Sequence, residues 1–162
     1  MNAAKGIWFA FVFLLLVALQ YTLRPVLAWR APIDFLVIAL LLVAVRARPG
    51  VAAMSGFVLG LLADSLTPGA FGAGAFAMTV VGFAASSLKA AFFTDNLGLN
   101  GVFVFLGTWA FDIIFLVAER RLASTDLIVR IVFWSPLSAA VTAVAGLVVL
   151  LLVRPVLGAP RL

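Results

Sequence analysis

Three aspartates stand in stretches where almost every neighbour is apolar. Asp64 follows Gly56 and Gly60 at steps of four, Asp112 lies inside a later apolar run, and Asp34 opens an earlier one. A carboxylate surrounded by hydrocarbon is costly, so such an acid usually serves a functional site or accepts hydrogen bonds from the protein itself. For each aspartate, we therefore ask whether the carboxylate serves a functional site or stabilises the structure.

Asp64 ends a series of residues that share one face of a helix. Residues four apart stack along a helix, and the members of this series are Ala52, Gly56, Gly60 and Asp64. Small residues at that spacing let a neighbouring backbone approach closely, which is how membrane helices pack. We therefore expect this face to be buried, most simply against the fourth helix.

Two interpretations of the Asp64 carboxylate remain after this step. It could accept hydrogen bonds from backbone N–H groups at the start of the fourth helix, where the helix dipole favours an anion. It could instead bind a cation, a proton or a substrate amine. The turn after it contains Gly69, Gly72 and Gly74, which permit unusual backbone conformations and supply free N–H groups, and this favours the first interpretation.

Asp112 and Asp34 lead to different expectations. Asp112 has Thr108 one turn before it on the same face, and two roles stay open for it: a hydrogen-bonded structural acid, or a residue that binds a partner. Asp34 follows Pro32 at the start of a helix, where an acid caps exposed N–H groups, and we predict that role.

Residues with catalytic chemistry are scarce. The chain has no cysteine and no histidine, which removes thiolate and imidazole chemistry and most zinc sites. Ser86, Ser87 and Lys89 resemble a Ser–Lys pair, but they end a helix where a lysine is expected as an interfacial anchor. We therefore predict no enzyme activity, no catalytic residue, no metal site and no cofactor.

The composition identifies the solvent as lipid. Of 162 residues, 66% are hydrophobic and 10% are charged, and the mean hydropathy is +1.29. A soluble domain has about half apolar and a quarter charged residues, and a chain this short cannot bury such an excess. The net charge of +5 is typical of juxtamembrane anchoring, and nucleic acid is not an expected partner.

The apolar runs predict an all-α polytopic membrane protein with six transmembrane helices in one integral membrane domain, residues 1–162. The second run is short for a membrane crossing. Every connection is short, so the helix bundle itself is the expected functional surface. The expected spans are 6–23, 31–46, 51–66, 70–88, 101–118 and 131–153.

The distribution of lysine and arginine between the two sides predicts the orientation. With the N-terminus inside, the cytoplasmic segments carry Lys5, Arg46, Arg48, Lys89, Arg154 and Arg161, and the opposite side carries Arg24, Arg30, Arg120, Arg121 and Arg130. This small excess predicts a multi-pass protein with both termini in the cytoplasm.

Residues 31–88 resemble the rod shape-determining protein MreD family. The resemblance rests on an opening with Pro32 and Asp34, a basic turn at Arg46–Gly50, the Gly56–Gly60–Asp64 helix, and a turn that carries Gly69, Gly72 and Gly74. Chain length and the number of apolar runs agree with that family over almost the whole sequence.

The resemblance implies a non-catalytic scaffold subunit of the bacterial cell-elongation complex in the inner membrane. Such a subunit would bind the membrane helix and juxtamembrane segment of MreC, would contact the RodA–penicillin-binding-protein synthase and MreB, and would help to regulate peptidoglycan synthesis. A six-helix fold similar to the substrate-binding (S) components of vitamin transporters is also implied. The residues expected to pack helices or bind the partner are Gly56, Gly60, Asp64, Gly69, Gly72, Gly74 and Asp112.

Two other functions remain as alternatives. A substrate-binding subunit of a vitamin or small-molecule transporter would need an enclosed cavity where polar side chains converge, and the candidates are Gln20, Asp64, Thr67, Thr108, Asp112 and Thr142. A membrane enzyme would need its intramembrane acids for turnover. The scaffold instead needs a groove lined by apolar and small residues, with Asp64 and the glycine turn at its outer rim.

Overall fold

The computed structural model describes residues 3–23, 33–65, 71–92, 96–119 and 130–157, and the elements in these ranges are helices. A π-helical turn, Arg130–Trp134, leads into the last helix. Pro32, Thr67 and Gly69 lie outside the described residues. The helices are α1 (Ala3–Leu23), α2 (Phe35–Arg46), α3 (Pro49–Ser65), α4 (Ala73–Phe92), α5 (Leu97–Ala118) and α6 (Ser135–Leu157).

Helix α2 is the centre of the bundle. It contacts each of the five other helices, and its residues from Phe35 to Leu42 are all buried. A helix that is apolar on every side belongs in a protein core or in lipid, and the neighbours of α2 agree with the absence of a polar face in this run. Its 12 residues extend only about 18 Å, against a hydrocarbon thickness of about 30 Å.

The first turn of α2 is capped by side chains of two other helices. The Phe35 N–H donates to Oε1 of Gln20 on α1 at 2.9 Å, and the Asp34 N–H donates to Oγ1 of Thr142 on α6 at 3.2 Å. The prediction that Asp34 caps this helix is wrong, because its side chain makes no capping hydrogen bond. Its ψ of 83° departs from the extended geometry that directs a capping oxygen to the first turn.

The last turn of α2 is capped from α4. The Ala47 carbonyl accepts a hydrogen bond from the Ser86 hydroxyl at 2.7 Å and another from the Lys89 ammonium at 2.6 Å. Ser86 and Lys89 are the residues that resemble a Ser–Lys pair in sequence. Here both side chains donate to one helix-terminal carbonyl, which a short helix inside a membrane cannot leave unsatisfied.

Within the ranges that the structure describes, three helical segments are long and apolar enough to cross a membrane. They are Ala73–Ala90, Leu97–Ala118 and Ile131–Leu152. The shorter apolar segments are Ala10–Thr22, Phe35–Arg46 and Pro49–Ser65. Large apolar side chains point outward from the bundle, among them Leu14, Phe71 and Phe133, and a surface of this kind is suited to lipid.

Candidate functional site

The small-residue face of α3 packs against α4 through the two backbones. A side chain at Gly56 would collide with the Met78 carbonyl, and one at Gly60 would collide with the backbone of Ala75. The absence of a Cβ at both positions therefore lets the helices touch over successive turns. The whole series is buried: Ala52, Gly56, Gly60 and Asp64.

The same contact continues to the other end of α3. A Cβ at Gly82 of α4 would lie 2.6 Å from the Ala52 carbonyl oxygen, closer than real side chains come. The pairs Ala52–Gly82, Gly56–Met78 and Gly60–Ala75 run in opposite directions along the two helices, so α3 and α4 are antiparallel. The expectation that this face packs on the fourth helix is confirmed.

Asp64 lies at the end of this interface and accepts three hydrogen bonds from the backbone. Its Oδ2 receives the N–H groups of Gly72 at 2.8 Å and Ala75 at 3.0 Å, and its Oδ1 receives the N–H of Gly74 at 3.1 Å. The residue is only 3% exposed. The donors belong to the first turn of α4 and the residue before it, where the helix dipole also favours a negative charge.

Two glycines make this arrangement possible. Gly72 has a φ of +95°, a left-handed conformation that most residues avoid, and in this conformation its N–H reaches Asp64. A Cβ on Gly74 would collide with Oδ1 of Asp64. The carboxylate thus joins the end of α3 to the start of α4, as the structural interpretation of Asp64 expects. A role in partner binding stays a prediction for Asp64 and the two glycines.

Asp112 joins α5 to the start of α6. Its Oδ2 accepts a hydrogen bond from the Ser135 hydroxyl at 2.9 Å, and Ser135 is only 5% exposed. The Thr108 hydroxyl, one turn earlier, donates instead to the Val104 carbonyl of its own helix at 2.9 Å. Asp112 itself is half-buried, so the contact to Ser135 leaves both proposed roles open.

An apolar groove is lined by residues of α4 and α5, which also contact each other. It encloses about 360 Å³, and small residues, Ala84 on α4 and Gly107 on α5, form part of its wall. No motif in the sequence indicates this groove, because its walls consist of ordinary apolar residues on two different helices. The lining residues are Val80, Val81, Ala84, Ala85, Leu88, Phe103, Leu106, Gly107, Trp109, Ala110, Ile113 and Ile114.

Of the polar residues considered for a transporter site, those that the structure describes do not line this groove. Gln20 and Thr142 accept hydrogen bonds from the backbone at the start of α2, and Asp64 accepts them at the start of α4. A second, much smaller cavity of about 10 Å³ lies among Ile38, Val104 and Leu150 and is also apolar. Gln20, Asp64 and Thr142 are therefore engaged in holding helices together.

The sequence did not predict that the ends of α2 are capped by Gln20, Thr142, Ser86 and Lys89. Each bonds a helix end that is distant in the chain: Gln20 is separated from Phe35 by 15 residues, and Lys89 from Ala47 by 42. The one signal that could have found them is the short apolar run of α2, since both ends of such a helix need partners inside the membrane.

The described residues form a helical protein in which three helices are long and apolar enough to cross a membrane, Asp64 accepts hydrogen bonds from the backbone, and the groove walls are apolar. The model of the family described as rod shape-determining protein MreD matches residues 3–156, nearly the whole chain, and the chain belongs to that family. No curated protein and no solved structure matches it. Membership gives the chain a part in determining rod shape, and the apolar helices make it an integral membrane protein.

Proposed function

We propose that this chain is a non-catalytic scaffold of the cell-elongation complex and that the groove between α4 and α5 receives the membrane helix of MreC. Family membership supports the shape-determining role. The observation that carries the docking site is the groove itself, an apolar opening of about 360 Å³ between two of the helices long enough to span a membrane.

The groove suits a helix better than a small polar ligand. Val80, Ala84 and Leu88 recur at steps of four on α4, so they form one ridge about 12 Å long. Gly107 and Ala110 on α5 present little bulk, and small residues allow the close backbone approach by which membrane helices associate. About two turns of an inserted helix would fit along this ridge.

The described charges support cytoplasmic termini. The acids lie toward the end of the bundle where α2 and α4 begin: Asp34, Asp64, Asp112 and Glu119. Arg46, Arg48 and Lys89 lie at the opposite end, to which the N-terminus of α1 also belongs because Gln20 near its C-terminus contacts Phe35. Positive residues favour the cytoplasmic side, so we place the basic end in the cytoplasm of the inner membrane.

The wider role is part of the same proposal. By holding MreC in the membrane, the scaffold would help to regulate peptidoglycan synthesis by the RodA–penicillin-binding-protein synthase and would connect it to MreB. We also propose that the six helices follow the arrangement of transporter S components, which an experimental structure of the chain would test. A transporter function has no comparable support, because Gln20, Asp64 and Thr142 bond to the protein itself and do not line the groove.

Site-specific photo-crosslinking in cells that co-express MreC tests the docking site. A crosslinking amino acid at Ala84 or Ile113 lies in the groove, and one at Phe57, 44% exposed on α3, serves as the control. We expect adducts with MreC from the two groove positions and none from the control. Recovery of MreC with no groove adduct, or with equal adducts from Phe57, would place the partner elsewhere.

A further inference from the structure

Three cationic residues surround the turn between α2 and α3. Lys89 is held there by its hydrogen bond to the Ala47 carbonyl, and Arg46 and Arg48 lie on either side of Ala47 in the chain. Both arginines are exposed. Two exposed arginines thus flank the residue whose carbonyl holds the Lys89 ammonium, and we call Arg46, Arg48 and Lys89 the basic turn.

The described acids lie away from this turn. The turn joins the end of α2 to the start of α3, whereas Asp34 precedes the start of α2 and Asp64 lies near the end of α3. Glu119 follows the last residue of α5, at the same end of the bundle as Asp34 and Asp64. Asp95, six residues beyond Lys89 in sequence, lies outside the described residues. Within the described part of the chain, the charge at this end of the bundle is positive and suits an anionic ligand.

Apolar side chains lie directly beside the basic turn on the membrane side. Val51 and Met54, in the first two turns of α3, are 57% and 64% exposed, and Leu88 of α4 is 52% exposed. Gly50, at the start of α3, leaves open space, since a Cβ there would meet no atom within 4 Å. A molecule at this site would meet cations at its head and hydrocarbon below it.

We propose that the basic turn binds the phosphate of an anionic phospholipid, with the acyl chains along Val51, Met54 and Leu88. Basic pockets between helices at the cytoplasmic surface recognise lipid headgroups in this way. A soluble phosphate compound would use the cations and leave the exposed apolar residues without a role. None of the three cations lines the α4–α5 groove, so the phosphate contact does not depend on the partner helix, and Leu88 is the residue that the two sites share.

Native mass spectrometry of the purified full chain tests this proposal. The protein in detergent is mixed with phosphatidylglycerol or with phosphatidylcholine, and the fraction that retains lipid is measured. We expect preferential retention of phosphatidylglycerol, about fivefold weaker in Arg48→Gln, the effect expected for loss of one cation near a lipid surface. Lys5→Gln, which removes the same charge from another helix, should retain the wild-type preference.

Arg48 is the better position to change because Lys89 also caps α2, and its loss would disturb the fold. Thermal unfolding of Arg48→Gln without added lipid should match the wild type, which separates lipid binding from folding. Equal retention of the two lipids, or equal losses in Arg48→Gln and Lys5→Gln, would overturn the proposal. Full displacement of lipid by glycerol phosphate would overturn the lipid assignment in favour of a soluble phosphate ligand.

Discussion

Helix α4 contacts α3 and α5 in different ways. Against α3, the backbones meet at Gly56 and Gly60, where no side chain fits between them. Against α5, the two helices also touch, but apolar side chains on both leave a groove of about 360 Å³ between them. We call the contact between α4 and α3 the closed side of α4, and it includes the two glycines and Asp64. We call the groove between α4 and α5 the open side of α4, and it is lined by apolar residues.

Helix α4 therefore uses one face to stabilise the bundle and offers another face for binding a partner. The α3–α4 pair is fixed by backbone contacts and by the carboxylate at its end, so it has no room for a partner and little freedom to move. The α4–α5 pair has unfilled apolar walls, which another helix could cover. Asp64, the acid that first suggests a functional site, thus belongs to the contact between α3 and α4. The groove that we propose as the docking surface has no charged lining residue.

The most disruptive change should be Gly60→Leu, which attacks the closed side directly. The new side chain would meet the backbone around Ala75, and backbone cannot move aside as a flexible side chain can. We expect a loss of about 3 kcal/mol in the free energy of unfolding, with poor recovery of folded protein in detergent. Gly50→Leu is the matched control, since its Cβ would meet no atom within 4 Å; equal losses in the two variants would contradict close packing.

Asp64→Asn should have a smaller effect, because it keeps the shape of the side chain and removes the charge. One carboxylate oxygen becomes an N–H₂ donor that faces a backbone donor, so at least one of the three hydrogen bonds is lost. The expected loss is about 2 kcal/mol in the free energy of unfolding, measured by thermal or denaturant unfolding in detergent. A loss larger than that of Gly60→Leu would show that charge outweighs packing on the closed side.

The closed side could be predicted from the sequence because its signal is local. Residues at steps of four on a single helix define the face, and the glycine turn directly after Asp64 indicates where its hydrogen-bond donors lie. The open side could not be predicted, since a groove between α4 and α5 depends on how two uniformly apolar helices happen to face each other. Apolar residues all around a helix give no preferred direction.

The capping partners of α2 also could not be predicted from the local sequence. Its short run is visible in the sequence, but its capping partners come from positions 15, 39, 42 and 108 residues away. The prediction for Asp34 failed because it considered the local N-cap alone, whereas Gln20 and Thr142 supply the acceptors. Local capping rules serve a helix that begins in water better than one that begins inside a bundle.

Gly72→Ala tests how much the left-handed backbone at the turn before α4 contributes to stability, and its effect should be smaller than those of the two substitutions above. Nothing lies within 4 Å of an added Cβ, so the effect comes only from the φ of +95°. We expect a loss of about 1 kcal/mol in the free energy of unfolding, because alanine disfavours a left-handed conformation. Gly50→Ala has similar open space and no positive φ, so a comparison of the two unfolding midpoints isolates the backbone term.

Ala84→Phe tests the open side and should have the smallest effect on the bundle itself. Ala84 lines the groove, so the phenyl ring can occupy free volume without meeting the α3 interface. We expect the free energy of unfolding to change by less than about 0.5 kcal/mol, as for a substitution that disturbs no packed core.

The same substitution should nevertheless prevent a helix from entering the groove. We expect recovery of co-expressed MreC in a pull-down to fall about tenfold, equivalent to 1.4 kcal/mol in binding free energy. Val58→Phe, on the exposed surface of α3, adds an aromatic ring outside the groove and should leave MreC recovery unchanged. Unchanged recovery with Ala84→Phe would mean that the open side of α4 faces only lipid, and the comparison between the two sides would then concern stability alone.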